Sequence, residues 1–307
     1  MDTVSKIIIT SPLPIDQNPA AVYIASLGSD TGRRSQSQAL RIVAQILGGD
    51  VNSVNWSALR YQHTAAIRSR LSTYAPATAN KILSALRQTL KQAWLLGQMT
   101  ADEYYRAVEL DPITGETLPA GREVTYDEIK ALIDTCKNDE NNKAGIRDAA
   151  IIGLMYSTGL RREEVVNLSL SDFNDGQIKV TGKRHKQRTA YVTNGALDAL
   201  NAWLSIRGSD DGALFLAIDK VGQIYEGYMQ PEAIRNMINK RIKQAGIKHL
   251  SPHDLRRTNA THLLQAGADI ATVAKLLGHK NINTTRRYDK RDEESKREAA
   301  ALISVPY

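Results

Sequence analysis

A break in the helical pattern divides this chain of 307 residues into two parts. The segment Asp111-Pro-Ile-Thr-Gly-Glu-Thr-Leu-Pro-Ala-Gly121 contains two prolines and two glycines and has no apolar period. Because proline removes a backbone donor and glycine leaves the backbone free, such a segment continues neither a helix nor a strand. We therefore predict an interdomain linker over residues 111–121, with one domain of ordinary size on each side.

The residues before the linker have helical spacing. After an N-terminal extension over residues 1–18, we predict helices at Pro19–Ser26, at Arg34–Leu47, near Ser57–Leu71 and at Thr78–Leu96. Apolar residues recur three and four positions apart in the second and the fourth of these helices. Residues 19–110 are thus predicted to form an all-α domain.

The residues after the linker have a mixed pattern. Thr125 and Glu128 form a capping box in sequence, and helices are predicted at Asp127 onwards, Lys143–Tyr156, Gln230–Ala245, Asp254–Gln265 and Ile270–Leu277. Apolar and polar residues alternate around Ile178 and Val180 and again around Ala190 and Val192, which predicts a small antiparallel sheet. The fold class is therefore mainly α with a small antiparallel β-sheet, and residues 122–307 form an α+β domain.

Charge and composition indicate the kind of partner. The net charge is +7 and the pI is about 9.3, and residues 1–120 carry only +2 of this charge. The remaining +5 lies after them, much of it in residues 179–188, which favours a polyanionic partner. Since there is no apolar run of about 18 residues and no signal-peptide pattern, we expect a cytoplasmic protein that does not span a membrane.

The single cysteine, Cys136, excludes an internal disulfide and cannot hold a metal cluster alone. Its spacing from Ile129 predicts a buried position on a helix.

The first motif that suggests chemistry is Thr158-Gly-Leu-Arg-Arg-Glu-Glu164. Gly159 ends one helix, and Arg161 is predicted at the first turn of the next, where the helix dipole disfavours a cation. A phosphate or a carboxylate is therefore expected to hold this arginine, and the alternative is an ordinary surface arginine.

A second motif, Gly182-Lys-Arg-His-Lys-Gln-Arg188, lies at the predicted hairpin tip. A basic tip of this kind enters a DNA groove and contacts phosphates, or it is simply a solvated charged turn. The third motif is His253-x-x-Arg256, whose spacing places both side chains on one helical face for joint contact with a phosphate. This pattern is weak, because His185 and Arg188 have the same spacing.

The last motifs are Leu276-Leu-Gly-His279 and Thr284-Thr-Arg-Arg-Tyr288. A tyrosine nucleophile needs nearby positive charge because its pKa is about 10 in water. Arg286 and Arg287 supply such charge in sequence, although a tyrosine between basic residues is also typical of a surface or interface.

Taken in order, these motifs resemble those of the tyrosine recombinase (phage-type integrase) family, with an Xer-like two-domain organisation. The resemblance covers residues 122–290 and extends more weakly to Ser72–Gly97. It implies a helical core-binding (SAM-like) domain and a catalytic domain that form a C-shaped clamp on DNA. It also implies site-specific strand exchange through a 3′-phosphotyrosyl intermediate and a Holliday junction, with no metal and no cofactor.

The resemblance also assigns roles to residues. Tyr288 is the expected nucleophile, Arg161, Arg256 and His279 the donors to the scissile phosphate, Lys183 the general acid and His253 the proton handler. Glu164 has a supporting role. The candidates for DNA contact are Arg87, Lys91, Arg184, Lys186, Arg257, Arg286 and Arg287.

The expected partner is double-stranded DNA with inverted-repeat core sites, bound as a homo-tetramer on two sites. The charged tail, residues 289–307, ends in an apolar segment that is expected to dock on a neighbouring protomer or on its own subunit. Two alternatives stay open: a type IB topoisomerase-like enzyme, and a catalytically inactive DNA-binding relative. The motifs do not separate an integrase from a resolvase or a transposon enzyme, and they do not name the DNA site.

Overall fold

The computed structural model describes residues 13–115, 121–182, 186–289 and 300–301. The chain divides into two compact units, Met1–Ala120 and Gly121–Tyr307. The division lies inside the predicted linker. No helix of the described residues is both long and apolar enough to cross a membrane.

The described part of the first unit contains helices and no strand. Its helices are α1 (Pro19–Ala25), α2 (Asp30–Ile46), α3 (Tyr61–Leu71), α4 (Pro76–Leu95) and α5 (Ala101–Val108), with a 3-10 turn at Trp56–Ala58. The four predicted helices are confirmed, and α2 begins one turn earlier than predicted because Ser29 caps it. Helix α5 was not predicted, although its capping box of Thr100 and Glu103 is readable in the sequence.

The second unit is α+β, as predicted. Its helices are α6 (Tyr126–Lys137), α7 (Asn142–Thr158), α8 (Arg162–Val166), α9 (Asn194–Arg207), α10 (Pro231–Ala245), α11 (Pro252–Gln265), α12 (Ile270–Leu277) and α13 (Ile282–Arg286). Its strands are β1 (Phe173–Asn174), β2 (Gln177–Thr181), β3 (Gln187–Tyr191), β4 (Ala217–Ile218) and β5 (Ile224–Tyr225). Helices α9 and α13 and strands β1, β4 and β5 were not predicted.

The predicted hairpin is the centre of a three-stranded antiparallel sheet in the order β1-β2-β3. Ile178 pairs with Ala190, and Val180 pairs with Arg188. Ile178, Val180 and Ala190 are buried, so one face of the hairpin packs on the core, as alternation requires. The amide of Gly182 donates to the carbonyl of Lys186 and closes the described base of the tip.

Helix α7 lies in the core of the second unit and packs against α6, α9 and α11. It is buried on nearly all sides, which its apolar run from Ala149 to Met155 allows. Cys136 of α6 is 1% exposed, so its predicted burial is confirmed. Burial also raises the pKa of its thiol to about 12.

A buried ion network joins α6, α7 and α10. Asp148 of α7 accepts from Arg147 at 2.8 Å through one carboxylate oxygen and from Arg241 of α10 at 2.5 Å through the other. Arg241 also donates to Asp139 and to the carbonyl of Thr135. Arg241 and Asp148 are 0% and 2% exposed, so their charges depend on each other for compensation.

Both ends of the predicted linker are bonded to the unit that they adjoin. On the first unit, Arg87 donates to the carbonyls of Val108 and Leu110, and Arg68 donates to that of Asp111. On the second unit, Arg257 donates to the carbonyl of Gly121. The next residue, Arg122, forms an ion pair with Glu128 at 2.6 Å and donates to the carbonyls of Glu123, Lys248 and His249. The linker is thus anchored over part of its predicted length.

Candidate active site

The arginine of the His-x-x-Arg motif is a buried cation. Arg256 on α11 is 1% exposed, and its guanidinium donates to the carbonyls of Gly159 at 2.7 Å and Leu277 at 2.8 Å. No carboxylate of the described residues forms an ion pair with it. Loss of water on burial, and then the charge of Arg161, lower the pKa of Arg256 to about 10. Arg256 remains charged at neutral pH and is placed to attract an anion.

The two carbonyls that hold Arg256 lie at the C-terminal ends of α7 and α12, where helix dipoles concentrate negative charge. Gly159 ends α7 with a φ of +63°, and an added Cβ there would approach Leu277 Cδ2 to 2.3 Å. The positive φ favours glycine here, and a larger residue would also displace the side chain of Leu277. The Thr-Gly-Leu-Arg motif therefore places a carbonyl against Arg256 as well as supplying Arg161.

Arg161 is held by a carboxylate, one of the two partners expected from sequence. It lies one residue before α8, not in its first turn, and acts as the N-cap. Its Nη1 donates to Glu164 Oε1 at 2.8 Å, and its main-chain N–H donates to Glu164 Oε2 at 2.9 Å. Burial by itself raises the pKa of Glu164, but hydrogen bonds from Arg188 and Arg161 outweigh it and hold the pKa below its usual value. The side chain of Arg161 stays 39% exposed and is accessible to a ligand.

The two motif histidines are affected by the same cations. For both His253 and His279, burial and then the charge of Arg256 lower the pKa, and for His279 the value falls to about 4. His279 Nδ1 lies 2.8 Å from the hydroxyl of Thr285, which is fully buried. When this hydroxyl donates to Nδ1, the neutral ring carries its proton on Nε2 and can donate to a phosphate.

Tyr288, the expected nucleophile, lies next to His279 and Arg257. It is 8% exposed and packs in an apolar cluster with Leu264, Val273 and Leu277. Its ring centroid is 6.3 Å from that of His279, and the Arg257 guanidinium lies 5.6 Å from the ring centroid. Tyr288, the predicted nucleophile, thus lies next to two other residues predicted from the sequence, His279 and Arg257.

A cleft of about 460 Å³ opens beside this cluster. Its lining includes Arg161, His253 and Arg256, together with Arg235 and Asn239 of α10. Three of the predicted catalytic residues therefore share one cavity, which Glu163 also lines, and the guanidinium groups of Arg161 and Arg256 in it suit a phosphate group.

The depressed pKa of His279 predicts how stability depends on pH. Between the unfolded value of about 6.5 and the folded value of about 4, the unfolded chain binds more protons. Stability is therefore lost as the pH falls through this window. Because the ring is partly exposed, we expect a loss on the order of 1–2 kcal/mol from this residue.

Urea unfolding of the wild type and of His279→Gln at pH 7 and pH 4.5 measures this effect. The wild type is expected to lose more stability than the variant on acidification, and NMR of labelled histidine is expected to show a midpoint near pH 4. An equal loss in both proteins contradicts the prediction.

The remaining predicted residues, which are the general acid and the candidates for DNA contact, differ in their exposure to solvent. Lys183 and Arg184 lie outside the described residues. Lys91, Lys186, Arg286 and Arg287 are exposed, whereas Arg87 is half-buried. Arg257 donates to the carbonyl of Gly121 and lies over the Tyr288 ring. Among the described residues, no group of three metal-ligating side chains is placed to hold a metal ion.

Sequence reasoning missed Arg188, which contacts two parts of this site. The side chain is 14% exposed and forms a two-point ion pair with Glu164. A signal was available, because strand alternation places Arg188 on the same inward face as the buried Ala190.

Comparison with known proteins identifies the family of the chain. The family model described as the phage integrase family matches residues 122–295. The chain belongs to the phage integrase family. This family member is 32% identical over 270 residues to tyrosine recombinase XerC of Salmonella typhi, covering 82% of each chain. It is 37% identical over 221 residues to tyrosine recombinase XerC of Actinobacillus succinogenes, covering 67% of this chain and 68% of the relative.

Solved structures share the fold of this family member. The Tn1549 transposon integrase in complex with transposon right end DNA superposes with a TM-score of 0.73 at 15% identity, covering 95% of this chain and 100% of the other. XerH bound to palindromic difH substrate superposes with a TM-score of 0.62 at 23% identity, covering 88% and 76%. The predicted fold class and family are confirmed, and with the family the prediction of an enzyme that cleaves and rejoins DNA.

Proposed function

We propose that the chain is a site-specific recombinase in which Tyr288 attacks a DNA phosphodiester. The tyrosyl oxygen forms a bond to phosphorus, the 5′-oxygen leaves as a hydroxyl, and a 3′-phosphotyrosyl link results. The 5′-hydroxyl of a second strand then attacks this link, rejoins the DNA and releases the tyrosine. Two such exchanges pass through a Holliday junction.

The observation that carries this proposal is the buried guanidinium of Arg256 without a carboxylate partner among the described residues, beside Tyr288 and Arg161. A pentacovalent phosphorus transition state carries additional negative charge, and donors fixed beforehand stabilise it. Arg161 and Arg256 each offer guanidinium donors, and His279 offers a third group. In this proposal His253 takes the proton of Tyr288 and Lys183 protonates the leaving oxygen.

Residues 19–110 of the first unit are proposed as the core-binding domain, and residues 122–307 of the second unit as the catalytic domain. Lys91 is exposed and suited to a phosphate contact, whereas Arg87 already donates to two main-chain carbonyls. Contacts of this kind make binding depend strongly on salt. We place the protein in the cytoplasm, with its DNA.

We further propose a homo-tetramer on two inverted-repeat sites, joined by the tail over residues 289–307. Among the relatives of like fold, a lambda integrase has been solved as a dimer bound to a core site, and XerH was bound to a palindromic substrate. Most soluble oligomers are closed and symmetric, and an inverted repeat matches a twofold pair of protomers. Whether the reaction integrates an element or resolves two sites is a property of the DNA target.

A covalent trap tests the proposal. Sheared genomic DNA from the source organism is incubated with the wild type, Tyr288→Phe or Tyr191→Phe, stopped with detergent, and the protein-linked fragments are sequenced. We expect adducts at a few recurring sequences with the wild type and with Tyr191→Phe, an exposed tyrosine of the same unit. Tyr288→Phe is expected to give none, because phenylalanine lacks the attacking oxygen.

Three other outcomes of the covalent trap would contradict the proposal. Adducts that persist in Tyr288→Phe overturn the choice of nucleophile. Adducts at scattered sequences favour topoisomerase-like relaxation over site-specific exchange. Specific DNA binding by the wild type without any adduct favours a relative that has lost catalysis.

A further inference from the structure

We propose that Arg188 of β3 is a positioning residue that fixes Arg161 and the turn before His279 relative to each other. Its consequence for catalysis rests on the function proposed above, whereas its structural part does not. Arg188 is the last basic residue of the hairpin motif, and the resemblance assigns it no role.

The first contact of Arg188 is with Glu164. Nη1 donates to Oε1 at 3.0 Å and Nη2 to Oε2 at 2.8 Å, a parallel two-point pair. The same two carboxylate oxygens accept the side chain and the main-chain N–H of Arg161. Since Glu164 is 7% exposed, Arg188 supplies the buried charge that keeps this carboxylate ionised and oriented toward Arg161.

The second contact is with the end of α12. Arg188 Nε donates to the carbonyl of Leu276 at 3.1 Å. Leu276 lies three residues before His279. A Cβ built on Gly278 would lie 3.2 Å from Cδ and from Nη1 of Arg188. The arginine therefore packs directly on the glycine that precedes His279, whose φ of +67° favours glycine.

One planar guanidinium makes both contacts with all three of its nitrogens. The β2–β3 ladder, in which Arg188 pairs with Val180, gives this group a rigid base. Lysine offers a single nitrogen and cannot bond the two carboxylate oxygens in parallel while also bonding the carbonyl. Arg188 does not line the cleft that Arg161, His253 and Arg256 share, so in this proposal it acts through Arg161 and His279 and not by contact with DNA.

The structural part is tested without DNA. The variants are Arg188→Met, Arg188→Lys and a matched control, Arg122→Met, which loses one carboxylate and three carbonyl contacts elsewhere in the unit. Amide hydrogen exchange is expected to speed up at least about tenfold at Arg161 and His279 in Arg188→Met and less in Arg188→Lys. The control is expected to leave both amides unchanged. Unchanged exchange in a folded Arg188 variant overturns the proposal, and Arg188→Lys decides if Arg188→Met does not fold.

The catalytic part uses single-turnover cleavage of a duplex that carries a site recovered in the covalent trap. One substrate has a normal scissile phosphate and the other a methylphosphonate, in which a neutral methyl group replaces a charged oxygen. Arg188→Met is expected to slow cleavage of the phosphate by about 10²-fold, as for the loss of one oxyanion donor. On the methylphosphonate the loss is expected to shrink to less than about tenfold, because less charge has to be balanced.

Destabilisation alone slows both substrates by the same factor, and that result overturns a positioning role. Loss of cleavage with unchanged amide exchange indicates direct contact of Arg188 with DNA and overturns it as well. If the trap yields no cleavage site, the proposed function fails while the exchange experiment still decides whether Arg188 holds the two segments.

Discussion

Replacing Arg256 by glutamine is expected to slow formation of the covalent adduct by about 10²–10³-fold, the usual cost of removing one preorganised donor from an oxyanion site. The guanidinium is almost fully buried and is bonded to the carbonyls of Gly159 and Leu277. Arg256 also lines the cleft, so its charge can stabilise phosphate oxygens there as they gain negative charge. Single-turnover cleavage of a recovered DNA site measures the rate.

Arg207→Gln is the matched control for this experiment. Arg207 is also a buried arginine of the second unit whose bonds run to main-chain carbonyls, those of Ala213, Gly208 and Asp210. It has no contact with the candidate site, so its loss is expected to affect stability and to leave the cleavage rate of the folded protein within about threefold. Equal rate losses in the two variants contradict the assigned role of Arg256.

The largest effect on stability is expected from Asp148→Ala. One carboxylate compensates two buried guanidinium groups, those of Arg147 and Arg241, and its removal leaves more positive than negative charge in the core. Breaking a buried pair in this way costs about 3–5 kcal/mol. For a unit of this size that corresponds to a fall in the unfolding midpoint of roughly 10 °C.

Calorimetry of the whole chain tests this prediction, since the transition of the second unit is expected to shift while that of the first stays in place. Asp134→Ala is the control, because Asp134 forms an exposed ion pair with Lys130 on α6. Such a pair is screened by solvent, so its loss is expected to change the stability little. A shift as small for Asp148→Ala as for Asp134→Ala contradicts the account of the buried network.

Short-range signals in the sequence predict much of this fold. Capping boxes, glycines at helix ends and strand alternation depend on neighbours within a few residues, and they predict α6, the α7–Gly159 break and the β2–β3 hairpin correctly. Helix α9 shows where the same reasoning stops. Leu197, Leu200 and Leu204 have helical spacing, but Thr193 makes no capping bond with its side chain, so its beginning carries no signal.

Contacts between distant residues are not readable in this way. Arg188 and Glu164 are separated by 24 positions, and Arg241 and Asp148 by 93. Strand alternation indicates that Arg188 faces inward, but no local pattern names the partner of either arginine, because the partner depends on which elements pack together. The motif residues could be predicted only because their order resembles a known family; what holds them in place requires the fold.

The lone charge of Arg256 has a consequence for the free protein. Burying a cation against two helix ends is less favourable than pairing it with a carboxylate, so Arg256 without a bound anion lowers the free energy of unfolding. A phosphate group that binds beside Arg256 compensates its charge and raises the free energy of unfolding. Folding and binding are then linked thermodynamically. The second unit is therefore expected to be less stable in solution than when it is bound to its substrate. The charge that stabilises the transition state is the same charge that lowers the stability of the free protein.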